Sequence, residues 1–134
     1  MATTTINKPS REYIDVDFNF SRHPITSNLS IKKKVNAVKQ SILHLLRLKS
    51  GEKPFHPEIQ SPVYEFLFDN ASSIVKVVLE GEIKKYLGVY EPRVEVAEVE
   101  VTFPDPNTIA CNVKGEIINI SEPFNVVFLV SRLR

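Results

Sequence analysis

Glu91 and Arg93 stand one residue apart around Pro92, in the stretch Tyr90-Glu91-Pro92-Arg93-Val94. A carboxylate beside a guanidinium forms a planar, two-pronged ion pair, and the proline ring fixes the backbone between them. Such a pair either presents charge to a partner chain or shapes the chain's own turn into the next strand, and both readings stay open here. Bond-breaking chemistry is less well provided for. Glu52, Glu58, Asp69 and Glu91 fall on loops or element ends. A glycosidase needs two such carboxylates, held about 5–5.5 Å or about 6.5–9.5 Å apart across a cleft. No spacing singles out a pair, and so short a chain has little room for a sugar cleft. His23, His44 and His56 have no Cys or His at metal-ligand spacing, and Cys111 is the single cysteine. Neither a metal site nor an intrachain disulfide is expected, and Cys111 reads as a small core hydrophobe on a strand. The glycines are isolated, which excludes a phosphate-cradling loop, and no Gly-x-Ser-x-Gly elbow occurs. We therefore expect no catalytic residue and no cofactor.

The bulk properties fit a single folded unit. At 134 residues, 43% apolar and 25% charged, the chain sits near globular averages and can bury a core without staples. Its charge is uneven. Residues 1–60 carry 10 Lys/Arg against 5 Asp/Glu, and residues 61–134 carry 7 against 11, giving +5 and −4. Opposite-signed halves suit docking against neighbours or against copies of the same chain. Nucleic acid is not an expected partner, because no basic face with interleaved aromatics occurs. Lys32-Lys33-Lys34 is the one basic cluster, read as a solvated face or as a contact with an acidic protein patch. No run approaches the ~20 apolar residues of a membrane span, and the opening residues lack the apolar core of a secretion signal. Residues 1–12 read as a flexible tail before one domain over 13–134.

The elements that must position these residues follow from periodicity. Residues 13–20 alternate, with Ile14, Val16, Phe18 and Phe20 apolar, which predicts a half-buried strand or an extended arm. Ser30 is a plausible N-cap for a helix over about 31–49, ended by Gly51. The loop 50–62 holds Pro54, Phe55, Pro57 and Glu58; its prolines stiffen it, and burial of Phe55 is expected to anchor it. Ser61-Pro62 predicts a short helix to about residue 68. A further helix is expected from Asn70, Ser72 or Ser73 to Leu87, stopped by Gly88, with a strand over 74–79 as the alternative. Period-2 runs over 94–103 and 109–117, with a phase slip near Ala97 and a turn at Pro104–Asn107, predict a bulged hairpin. The 124–130 strand is apolar on both faces. Phe124, Val126 and Phe128 line one of them, so cover is expected on both sides, from helices of this chain or from a neighbour. The fold class is α+β, a small antiparallel sheet with a C-terminal hairpin and two to three helices packed on it.

Four segments, in order, resemble the baseplate wedge family shared by contractile phage tails and type VI secretion baseplates. They are Tyr13-Ile14-Asp15-Val16-Asp17-Phe18; Val38–Ile42 leading into Gly51–Glu58; Leu67-Phe68-Asp69; and Tyr90–Val94. The resemblance implies a structural, non-enzymatic protein of the virion tail baseplate, assembled in the host cytoplasm. It implies a role in linking the baseplate to the first sheath ring and templating sheath polymerisation. The implied partners are the tail sheath protein, other wedge subunits and the central hub or tube. The family's Glu-Pro-Arg signature maps onto Glu91, Pro92 and Arg93 and is associated with sheath attachment; Phe124, Val126 and Phe128 join them as expected partner-binding residues. A lysozyme-like peptidoglycan hydrolase, or the secretion-system counterpart, are the rival functions. Lys53 departs from the Arg frequent in the family, and Ile59-Gln60 from its Phe-Gly. Lysine lacks the planar fork of arginine.

Overall fold

The computed structural model describes residues 13–132, so the expected tail over 1–12 lies outside the described residues. The elements run β1 (Ile14–Val16), β2 (Ile31–Lys33), α1 (Val35–Arg47), α2 (Pro62–Phe66), α3 (Ser73–Tyr90), β3 (Val94–Asp105), β4 (Thr108–Ile117) and β5 (Glu122–Ser131). β1 and β2 pair as a small antiparallel ribbon, and β3-β4-β5 form an antiparallel meander. The α1 and α3 helices pack on the meander, α3 against β3 and α1 against β5. This is the α+β arrangement expected.

The core lies between those helices and one face of the meander. Alternate strand residues supply it: Val94, Val96 and Val101; Ile109, Cys111, Val113 and Ile117; Phe124, Val126 and Phe128. Helix α1 adds Val38, Ile42 and Leu46, and α3 adds Leu79, Ile83 and Leu87. The register skips one residue between Val96 and Glu98, so the bulge falls at Ala97 as the phase slip required. Opposite it, Gly115 has no room for a side chain: a Cβ there would lie 2.2 Å from the Glu95 carbonyl oxygen. Cys111 is fully buried, and burial pushes its thiol up to about 12. A water-soluble disulfide reagent at neutral pH should therefore leave Cys111 unmodified in the folded chain and label it fully in denaturant, because the thiolate is the nucleophile. Rapid labelling of the native protein would contradict this packing.

Three local expectations are corrected. The first helix begins at Val35, not Ile31, and Ser30 is not its N-cap. The Ser30 amide donates to Ser21, Lys34 donates to the Tyr13 carbonyl at 2.7 Å, and Ile31–Lys33 pair with β1. These long-range bonds take the backbone that a helix would use, and place the triple lysine on a strand and the turn after it. The helix α3 runs through Gly88 to Tyr90, because burial of Tyr86 and Leu87 carries it past the glycine. Its cap is Ser72, one of the three candidates, and the Ser61-Pro62 start of α2 is as expected. The N-terminal strand is shorter and inverted. Asp17 is buried, hydrogen-bonded by the Ser21 hydroxyl and the Asn19 amide, which turns Ile14 and Val16 outward, while the Phe18 ring packs edge-on against His44 of α1. Local bonding by aspartate overrode the apolar alternation.

Candidate functional site

The helix-to-strand joint at residues 90–94 is the most densely bonded polar feature of the described chain. Glu91 caps α3, its amide donating to Leu87 at 2.8 Å. Its carboxylate is buried, at 2% exposure. Arg93 closes on it as a fork, Nε to Oε1 at 2.5 Å and Nη2 to Oε2 at 2.6 Å. The Ser41 hydroxyl, from α1, donates to Oε2 at 2.5 Å. On the outer side the guanidinium lies over the Tyr13 ring, 5.4 Å from its centroid. The Arg93 carbonyl accepts from the Ile118 amide, in the turn after β4. Burial alone would push the Glu91 carboxyl up, but the Arg93 guanidinium and the Ser41 hydroxyl together hold it below the usual carboxylate range. The joint therefore ties α1, α3, the start of β3 and the N-terminal strand into one unit.

Of the two readings left open by sequence, the intramolecular one accounts for Glu91 completely. Pro92 is exposed and Arg93 half-buried, so these two alone of the trio reach the surface. Sequence reasoning missed Ser41 and the Tyr13 stack. Ser41 lies 50 residues from Glu91, and nothing in a local pattern marks such a contact.

Phe124, Val126 and Phe128, expected to face a partner, point into the chain's own core, each 3% exposed. Helix α1 covers them. The residues left outside on β5 are Val127 and Leu129, 64% and 61% exposed. One apolar face of this strand is covered within the chain and the other is open. The outer edge of β5 is open as well: β4 is its sole strand neighbour, and among the described residues no hydrogen bond reaches that edge. The opposite edge differs. On β3, the Glu80 carboxylate accepts from the Val101 amide at 2.9 Å and Lys84 donates to the Ala97 carbonyl at 3.3 Å, both from α3.

The 50–62 loop is also built differently from expectation. Phe55 is 97% exposed and adopts a left-handed φ of 65°. The loop is held by buried Ile59 and by the Ser61 amide bonding Leu48, not by Phe55. Pro54 and Pro57 lie at its surface, and Glu58 pairs with His56 at 3.0 Å. The Glu58 carboxyl is held low, first by a backbone hydrogen bond and then by His56. No group of three His, Cys, Asp or Glu residues is placed to hold a metal ion among the described residues, and no described helix is long and apolar enough to cross a membrane.

Comparison with known proteins gives a consistent picture. The profile of the family described as baseplate wedge protein gp25 matches residues 32–121. Baseplate wedge protein gp25 of Enterobacteria phage T4 is 26% identical over 86 residues, covering 63% of this chain and 65% of that protein. The chain thus matches just under two thirds of the length of this curated relative. Among solved structures, the anti-feeding prophage baseplate contains a chain that superposes with a TM-score of 0.70 at 19% identity, covering 83% of this chain and 90% of that one. A candidate tail lysozyme from Geobacter sulfurreducens superposes with a TM-score of 0.65 at 19% identity, over 72% of this chain and 89% of its own. At that identity the likeness is one of fold alone.

Proposed function

The chain belongs to the baseplate wedge protein gp25 family, and from that membership we propose that it is a structural wedge subunit that joins the baseplate to the first ring of a contractile sheath and templates sheath growth. The observation that carries this reading is the outer edge of β5. It is a ten-residue strand whose unpaired edge lies beside two exposed apolar residues, Val127 and Leu129. An incoming strand would gain main-chain hydrogen bonds there, with side-chain contacts setting its register. Natural proteins protect long edges when nothing is meant to bind them. Here Glu80 and Lys84 dress the β3 edge and leave β5 bare.

In this reading the tail sheath protein supplies the added strand. Neighbouring wedge subunits and the hub or tube contact other surfaces, while exposed Pro92 and the part of Arg93 left open beside Tyr13 take part in sheath attachment. The subunit is assembled in the host cytoplasm and resides in the tail baseplate. The Glu91–Arg93 pair acts by setting the angle at which the meander leaves α3. The hydrolase reading draws no support from Glu58 or Glu91. A general acid needs a carboxyl held above its ordinary range, whereas Glu58 and Glu91 are both held below it.

Replacing Val127 and Leu129 together with lysine tests the proposal. Both side chains point away from the core, so each change should alter stability by no more than about 0.5 kcal/mol. Edge lysines oppose strand addition. Baseplates carrying the variant should form normally yet fail to extend sheath, as seen by electron microscopy. Sheaths of ordinary length on such baseplates would refute the role given to β5.

A further inference from the structure

We propose that copies of this chain dock head to tail, with the outward face of the β1–β2 ribbon of one copy seated in the acidic groove at the bulged end of the meander of the next. This surface is distinct from the sheath-facing part of β5 at Val127 and Leu129.

The ribbon supplies the apolar, basic half. Its register sets Ile14 opposite Lys33 and Val16 opposite Ile31, and all four side chains are exposed. Ile14 and Ile31 leave 56% and 52% of their surface in water. A contiguous apolar face edged by charge marks an interaction surface, and Lys33 and Lys34 give that edge a positive sign.

The groove, about 820 Å³, supplies the complement. Ala97, Gly115 and Pro123 give it apolar lining, while Glu95, Glu98 and Glu116 make it acidic. Glu95 and Glu116 are direct cross-strand partners. Like charges so placed are destabilising, and neither forms an ion pair among the described residues. Lys39 and Lys114 also line the groove, and Lys114 is engaged with Glu98 at 3.1 Å. An incoming lysine would relieve the Glu95–Glu116 repulsion while the isoleucines cover the apolar lining. The two faces are different patches, so the contact is heterologous and can close into a ring. The opposite charges of the chain's two halves favour the same polarity of approach.

Sedimentation velocity of the full chain over a concentration series, at low and high salt, tests this. Association should rise with concentration at low salt and weaken as salt screens the charges. Lys33→Glu and Glu95→Lys should each weaken self-association roughly tenfold. Glu95→Lys replaces a like-charged cross-strand pair with an opposite one, so its fold should hold; Glu116→Lys is the equivalent second variant. An equimolar mixture of the two single variants should associate again, through the untouched face of each. The combined Lys33→Glu, Glu95→Lys chain should recover self-association. A wild-type chain that stays monomeric throughout, association indifferent to these changes, or single variants that fail to pair when mixed would each overturn the proposal.

Discussion

Replacing Phe128 with alanine is expected to destabilise the chain by about 3–5 kcal/mol, enough to lower the melting temperature by on the order of 10–20 °C. Phe128 is 3% exposed and stands beside fully buried Cys111 in the centre of the meander. Truncation removes the transfer energy of the ring and leaves a cavity that the neighbouring strand cannot collapse into. The control is one residue away. Val127→Ala on the open face should change stability by less than about 0.5 kcal/mol. Thermal melts of the two variants, followed by circular dichroism, read this contrast directly. Equal effects would mean that Phe128 does not face the core. The same contrast separates fold from partner binding, since loss of assembly in Phe128→Ala reports unfolding and not a lost contact.

The Glu91–Arg93 pair should respond asymmetrically. Breaking a buried ion pair by removing one partner costs about 3–5 kcal/mol when the survivor stays buried. Arg93→Ala leaves the Glu91 carboxylate buried with the Ser41 hydroxyl and the backbone amide of residue 93 as its remaining donors. The Arg93 side chain is itself 32% exposed, and water reaching that side discounts the loss to about 2–4 kcal/mol. Glu91→Gln instead leaves a guanidinium that water can reach and keeps an acceptor for Ser41, so it should cost only about 1 kcal/mol. Arg93→Ala therefore cannot serve as a clean probe of partner binding. Its assembly defect must be judged against its melting temperature.

The pH dependence has a definite sign. The Glu91 carboxyl is held below its unfolded value of about 4.3. Its contribution is complete above that value and is lost as pH falls through the folded one. Asp17, held low first by the Ser21 hydroxyl and then by the Asn19 amide, acts in the same direction. Melting temperature should fall on acidification from neutrality to about pH 3, and less steeply in Glu91→Gln, where the Asp17 contribution alone of the two remains. Parallel wild-type and Glu91→Gln curves would show that the pair does not stabilise the fold.

Much of the fold was legible because it rests on local rules. The meander announced itself through period 2, and the slip at Ala97 is where the register skips. Ser61-Pro62 caps a helix as its side-chain chemistry predicts, and Ser72 is the one of three candidate caps that starts α3. The site was legible only as residue types: Glu91, Pro92 and Arg93 were evident, but not that Glu91 would be spent on Ser41 and Arg93 inside the chain. On β5, alternation separated Phe124, Val126 and Phe128 from Val127 and Leu129 without telling which set faces inward. That choice depended on α1, which lies more than 70 residues earlier and covers only one side.

The sequence by itself determined the α+β class, the three long strands, the helix start at Ser61, the start of the next helix to within Asn70–Ser73, and the charged, proline-stiffened joint. Each is set by interactions within a few residues, which spacing records directly. Only the tertiary structure decided which face of β5 is buried, that β5 keeps an unpaired edge, and that Ile14 and Val16 point outward while Asp17 points in. These depend on hydrogen bonds and contacts between segments far apart in the chain. Their energies select one of two faces that the local pattern leaves equivalent.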